Sequence, residues 1–231
     1  MTSGGERMKV SQRLYEKALP IWESYFTHPF IQGMADGTLA KDKFQFYMIQ
    51  DHKYLMEYAK VFALGVIKSR DEKDMRLFAA FIADTLNTEN AVHQFFLKEL
   101  GITQEDIERT PMCLNNDSYT NYMIAVAMKE GLAELTTAVL ACFWSYKLIG
   151  DYMETIPGAL EQPFYGRWSS TYVSDAFRGG NQTVIDLLDR LTEGYTEEQI
   201  QNLEHILINC SKYEYQFWDM AWTKGEMDYR L

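Results

Sequence analysis

From Ser11 to about Lys224 the apolar residues recur at intervals of three and four, and no segment sustains the every-second-residue alternation of a half-buried strand. That pattern predicts an all-α fold of about eight or more helices packed round one core. The first helix is expected over residues 11–26, with Leu14, Ala18, Ile21, Trp22 and Tyr25 as its stripe. His28-Pro29 and Gly33 read as a break. Residues 39–68 and 71–100 read as two long continuous helices, the second with Leu77, Phe81, Thr85, Thr88 and Val92 on one face. Thr103 and Thr196, each followed three residues later by Asp106 and Gln199, have the form of capping boxes. Further helices are expected at 118–129, 132–149, 162–172 and 181–191, with Gly179-Gly180 as a break and a last helix ending near Lys224. A chain of 231 residues without repeats or low-complexity linkers is expected to form one domain. Residues 1–7 read as an expression scar or a loose extension, leaving 8–231 as a single all-α domain.

The net charge of −11, with Lys and Arg scattered, disfavours nucleic acid as a partner. No run approaches the roughly 18–20 uninterrupted apolar residues of a membrane span. The N-terminus lacks the apolar segment of a secretory signal. Three widely spaced cysteines, Cys113, Cys142 and Cys210, argue against a disulfide framework and for a reducing, cytoplasmic setting. There is no CxxC, no glycine-rich phosphate loop and no pair of Glu-x-x-His motifs, so neither a metal nor another cofactor is expected.

Three helical positions carry chemistry. Cys142 and Tyr146, in the apolar stretch LACFWSYKLIG, are four residues apart and share a face. Cys142 reads either as a small core hydrophobe or as part of a reaction site. Glu214 stands among Tyr213, Tyr215, Phe217 and Trp218; it is either a desolvated acid with a raised pKa or a partly exposed helix-edge residue. Asp51 shares a face with Tyr47, Tyr54 and Tyr58. Tyr47 and Tyr54 are placed to bond a buried carboxylate and keep it ionised. The alternative is that Gln50-Asp51-His52 is the wet side of the helix.

The segments HPFIQGMADGTL (28–39), FYMIQDHKYL (46–55), SYTNYM (118–123), ACFWSYKLIG (141–150), WSSTYVSDAF (168–177) and YEYQFWDMAW (213–222) together resemble the thiaminase II (TenA) family, in the family's order. The resemblance implies the haem-oxygenase-like helical fold, with 8–231 as a catalytic domain. It also implies roles: Cys142 as nucleophile, Glu214 as general acid, and Tyr54 as a tyrosine beside the thiol. Asp51, Tyr146 and Tyr172 would bind the pyrimidine ring, and Tyr119 would stack on it. The implied reaction converts 4-amino-5-aminomethyl-2-methylpyrimidine to its hydroxymethyl counterpart plus ammonia, and cleaves thiamin to hydroxymethylpyrimidine and thiazole. The resemblance further implies a homotetramer. Other readings are a haem- or metal-binding protein of the same fold, for which His28 is the nearest candidate haem ligand, and a regulatory protein acting through partners.

Overall fold

A computed structural model describes residues 8–225, so the reading of residues 1–7 as a scar or extension lies outside the described residues. Among the described residues the chain forms eleven α-helices and one π-helical segment, with no strand. In chain order these are α1 (Val10–Phe26), α2 (Pro29–Asp36), α3 (Lys41–Lys68), α4 (Glu72–Ala83), the π segment (Asp84–Glu89) and α5 (Asn90–Glu99). Then come α6 (Gln104–Arg109), α7 (Leu114–Lys129), α8 (Leu132–Glu154), α9 (Gly166–Tyr172), α10 (Asp175–Leu191) and α11 (Glu197–Thr223).

Local chemistry sets most of the starts. Thr103 and Thr196 close the two expected capping boxes, with Asp106 and Gln199 answering. Asp71 and Ser174 accept the N–H groups of Asp74 and Phe177 and so open α4 and α10. Each such cap contributes about 1 kcal/mol.

Helix α8 is the axis of the molecule. It is long and apolar enough to cross a membrane by composition, yet 72% of its apolar window is buried inside the protein. A helix that is apolar on every side needs protein on every side. Here α11, α10, α9, α7, α3 and α1 supply it. Tyr58 on α3 donates to the Val139 carbonyl of α8 at 2.7 Å, and Trp22 on α1 donates to Ser211 Oγ of α11 at 3.0 Å. These bonds pin the long helices at fixed heights inside an otherwise non-directional core.

Three sequence expectations are corrected. The stretch from His28 to Gly33 is not a break but the start of α2. Proline is well suited to the first helical position, and the His28 ring caps the helix by accepting the Phe30 N–H at 3.1 Å. Gly179 and Gly180 lie inside α10, which is held by its Ser174 cap and by buried Val184, Leu187 and Leu188. Residues 71–100 are not one continuous α-helix. The π segment adds a residue to one turn, so the inward phase slips. Phe81 and Thr85 are buried as expected, but after the slip His93 takes the buried position and Val92 is only half-buried.

Candidate active site

The reacting groups come from five elements. Helix α3 brings Asp51 and Tyr54, α5 brings His93, α8 brings Cys142 and Tyr146, α9 ends on Tyr172, and α11 brings Glu214. Asp51, Tyr54, His93, Cys142, Tyr146 and Tyr172 wall a cavity of about 30 Å³, room for about one water molecule. Glu214 and Tyr119 lie behind that wall, 2% and 0% exposed.

Glu214 is the electrostatic centre. Tyr119 donates to its Oε1 at 2.8 Å, and the Cys142 thiol also bonds it. The two helices, about seventy residues apart in sequence, therefore aim nucleophile and acid at each other. Burial pushes the Glu214 carboxyl up to about 8, and the negative charge of Asp51 adds to this. The bonds from Tyr119 and Cys142 pull it back. The helix-edge alternative for Glu214 is thereby excluded, as is the wet-side alternative for Asp51, which is 5% exposed. Its neighbour Gln50 is fully buried too and ties α3 to the loop before α7, donating to the Pro111 carbonyl and accepting from Cys113 N–H.

The tyrosines expected around Asp51 face elsewhere. Tyr47 Oη meets Tyr146 Oη at 3.0 Å, and Tyr54 donates towards Met123 Sδ at 3.9 Å. The partner of Asp51 is His93, whose Nε2 lies 2.7 Å from Oδ2 with both side chains buried. The two phenols meet because inward side chains on crossing helices compete for one small space, so partner choice follows the crossing and not the spacing. Burial raises the hydroxyls of Tyr54, Tyr119 and Tyr146 well above their ordinary range, so they remain protonated and can donate. Tyr119 does not reach the cavity wall. Its ring is stacked on Tyr213 at 5.3 Å and lies 5.5 Å from Tyr54, and its hydroxyl serves Glu214. Tyr172 does reach the wall, 4.9 Å from the Tyr146 ring. Gly150 permits this approach: a Cβ there would sit 2.9 Å from the Tyr172 carbonyl carbon.

His93 and Tyr47 are the residues that sequence reading missed. Tyr47 had a signal, since it shares the Asp51 face. His93 had none, because its phase depends on the π segment. A second, outer cavity of about 390 Å³ is lined by Met48, Thr85, Val92 and Ser174 among others. It shares His93, Phe143, Tyr172 and Phe177 with the inner one. These four side chains form the partition between the two spaces.

The candidate haem ligand is otherwise engaged. Besides capping α2 through Nδ1, His28 pairs with Asp219 through Nε2 at 3.0 Å.

Comparison with known proteins agrees with this geometry. The model of the TENA/THI-4/PQQC family matches residues 15–224. An aminopyrimidine aminohydrolase from Helicobacter pylori is 47% identical over 215 residues, covering 93% of this chain and 99% of its own. The solved TenA homologue protein from P. horikoshii OT3 has a TM-score of 0.86 at 31% identity, covering 94% of this chain and 100% of its own. A domain with a heme oxygenase-like fold from Shewanella denitrificans OS217 has a TM-score of 0.74 at 17% identity, covering 95% and 94%, and shows the fold alone. A buried helix presenting a thiol to a carboxyl, within a haem-oxygenase-like bundle matched along nearly its full length, places this chain in the TENA/THI-4/PQQC family.

Proposed function

We propose that this protein is an aminopyrimidine aminohydrolase of thiamin salvage. It converts 4-amino-5-aminomethyl-2-methylpyrimidine and water to the 5-hydroxymethyl compound and ammonia, and it also cleaves thiamin with the thiazole as leaving group. The observation that carries this reading is the bond between the Cys142 thiol and a Glu214 carboxyl raised to about 8. An ordinary thiol titrates near roughly 8.5, so a proton passes between the two groups at little cost.

In the proposed sequence the thiol gives its proton to Glu214 as sulfur adds to the ring carbon C6. The electron pair of that C=N bond moves to the ring nitrogen, which takes a hydrogen bond from Tyr146 or Tyr172. Glu214 then protonates the departing amine while the 4-amino nitrogen, held by Asp51, pushes the C–N bond open. Water adds to the exocyclic methylene and its proton returns to Glu214. Sulfur leaves with its electron pair and regains that proton. Tyr54 stands beside the thiol, and Tyr119 holds the acid. A pyrimidine is larger than the inner cavity, so it reaches Cys142 from the outer cavity by displacing the partition of His93, Phe143, Tyr172 and Phe177.

The test is to incubate the purified protein with the aminomethylpyrimidine and with thiamin, following ammonia, thiazole and hydroxymethylpyrimidine. Stoichiometric ammonia and alcohol are expected. No turnover of either compound sinks the reading.

We also propose a homotetramer, on the exposure of Ile67 (76%), Leu114 (63%) and Met128 (66%), which a partner surface would cover. Light scattering should then return four times the 26.9 kDa chain mass, and a monomer mass refutes it. Three free thiols fit a reducing, cytoplasmic setting.

A further inference from the structure

Asp51 stands apart among the groups at the cavity because its close partner is a residue to which the proposed reaction gives no task. His93 Nε2 lies 2.7 Å from Asp51 Oδ2, the two side chains are 6% and 7% exposed, and both wall the inner cavity. The same imidazole also walls the outer cavity. It arrives there through the π segment, which turns position 93 inward. π turns inside α-helices occur frequently at functional sites.

The consequence is one of hydrogen-bond polarity. An ionised carboxylate only accepts, and an imidazole N–H donated to Oδ2 leaves Oδ1 to accept from something else. A 4-aminopyrimidine offers N–H donors at that edge. A 4-oxopyrimidine offers an acceptor, which would face Oδ1 lone pair to lone pair. We propose that His93 is a positioning residue that makes the site select a 4-amino over a 4-oxo pyrimidine, by holding the Asp51 carboxylate as an acceptor. This rests on the aminopyrimidine reading given above.

Without the imidazole, Asp51 is a buried carboxyl facing Tyr47 and Tyr146, and it also feels the charge of Glu214. A buried carboxylate that has lost its donor is costly, and the least costly response is to hold a proton. It can then donate to a 4-oxo group as well as accept from a 4-amino group. Selectivity collapses while the chemistry at Cys142 and Glu214 is left in place.

The experiment measures kcat/KM for the 4-amino substrate and its 4-oxo analogue with the wild-type protein, His93→Leu, His93→Gln and His93→Asn. Intrinsic reactivity of the two compounds cancels when the amino-to-oxo ratio is compared between variants. A site built to bond a substrate N–H discriminates by about 10⁴ or more, so the ratio has room to fall. His93→Leu should lower it by about 100-fold. The Gln amide nitrogen reaches approximately the position of imidazole Nε2 and should hold the ratio within about fivefold, whereas the shorter Asn should lose it. Equal ratios in Gln and Asn overturn the proposal, and so does a Leu variant in which both rates fall together. The Gln and Asn pair decides the question even if the Leu variant does not fold. A wild-type protein that turns over neither pyrimidine would instead refute the parent reading.

Discussion

The two sides of the cavity are built differently. The reacting side, Cys142 and Glu214 with Tyr119 behind them, stands on α8, α11 and α7, uninterrupted helices of 23, 27 and 16 residues. The recognition side, Asp51 with His93 and Tyr146 with Tyr172, draws on α5, which follows the π segment, and on the seven-residue α9. Dense packing of long helices holds groups to fractions of an ångström, which nucleophile and acid require. Interrupted elements open more cheaply, and they carry the partition through which a ligand must pass. Rigidity sits where bonds are made, and irregular backbone sits where substrates are admitted.

If the comparison is right, damage to the reacting side should cost kcat and damage to the recognition side should cost KM. The largest effect is expected from Cys142→Ser, which should lower kcat by about 10³-fold or more, because a hydroxyl beside the same carboxyl is a far weaker nucleophile. Rapid-quench assay at saturating substrate checks this, and near-normal turnover would break the assignment.

Glu214→Gln should follow, with a loss of about 10²–10⁴ in kcat and little change in KM. A rise in KM alone would move Glu214 to the recognition side. The same variant should be more stable than the wild type. The folded-state pKa is raised, so below about 4.5 the carboxyl is neutral in both states and costs nothing. Between about 4.5 and 8 only the unfolded chain gains charge, and the penalty on folding grows with pH. It levels off above about 8, at a size on the order of 4 kcal/mol. Melting curves at pH 4.5, 6 and 8 should show the variant's Tm advantage widening, and a constant difference would contradict the burial argument.

Tyr119→Phe tests how the acid is held. The Tyr119 bond lowers the Glu214 pKa, so its loss should move the alkaline limb of the kcat profile upward by under one pH unit, with about a tenfold loss of kcat or less. A downward shift would reverse the assigned role. The smallest effect belongs to the recognition side. Tyr146→Phe removes one neutral hydrogen bond worth about 1 kcal/mol, so KM should rise about fivefold with kcat nearly kept.

Reading the residues recovered much of this molecule, and its failures share a cause. The capping boxes at Thr103 and Thr196 were legible because a cap is a bond between residues three apart. The Cys142–Tyr146 face was legible for the same reason. The glycine pair in α10 misled, because the apolar stripe and the Ser174 cap outweigh two flexible residues. The π turn left no local mark in DTLNTE, and with it went His93. The family resemblance added the roles of Tyr172 and Tyr54, which spacing alone did not supply.

Local periodicity thus determined that Asp51, Cys142 and Glu214 point inward from three helices, since the angle of a side chain about its own helix axis depends only on the residues beside it. It did not determine whom they meet. The bond from Cys142 to Glu214, the pairing of Asp51 with His93 and the diversion of Tyr47 to Tyr146 depend on the height and angle at which helices cross. Those quantities are set by the packing of the whole core, a sum over contacts between residues far apart in the chain, and only the tertiary structure decides them.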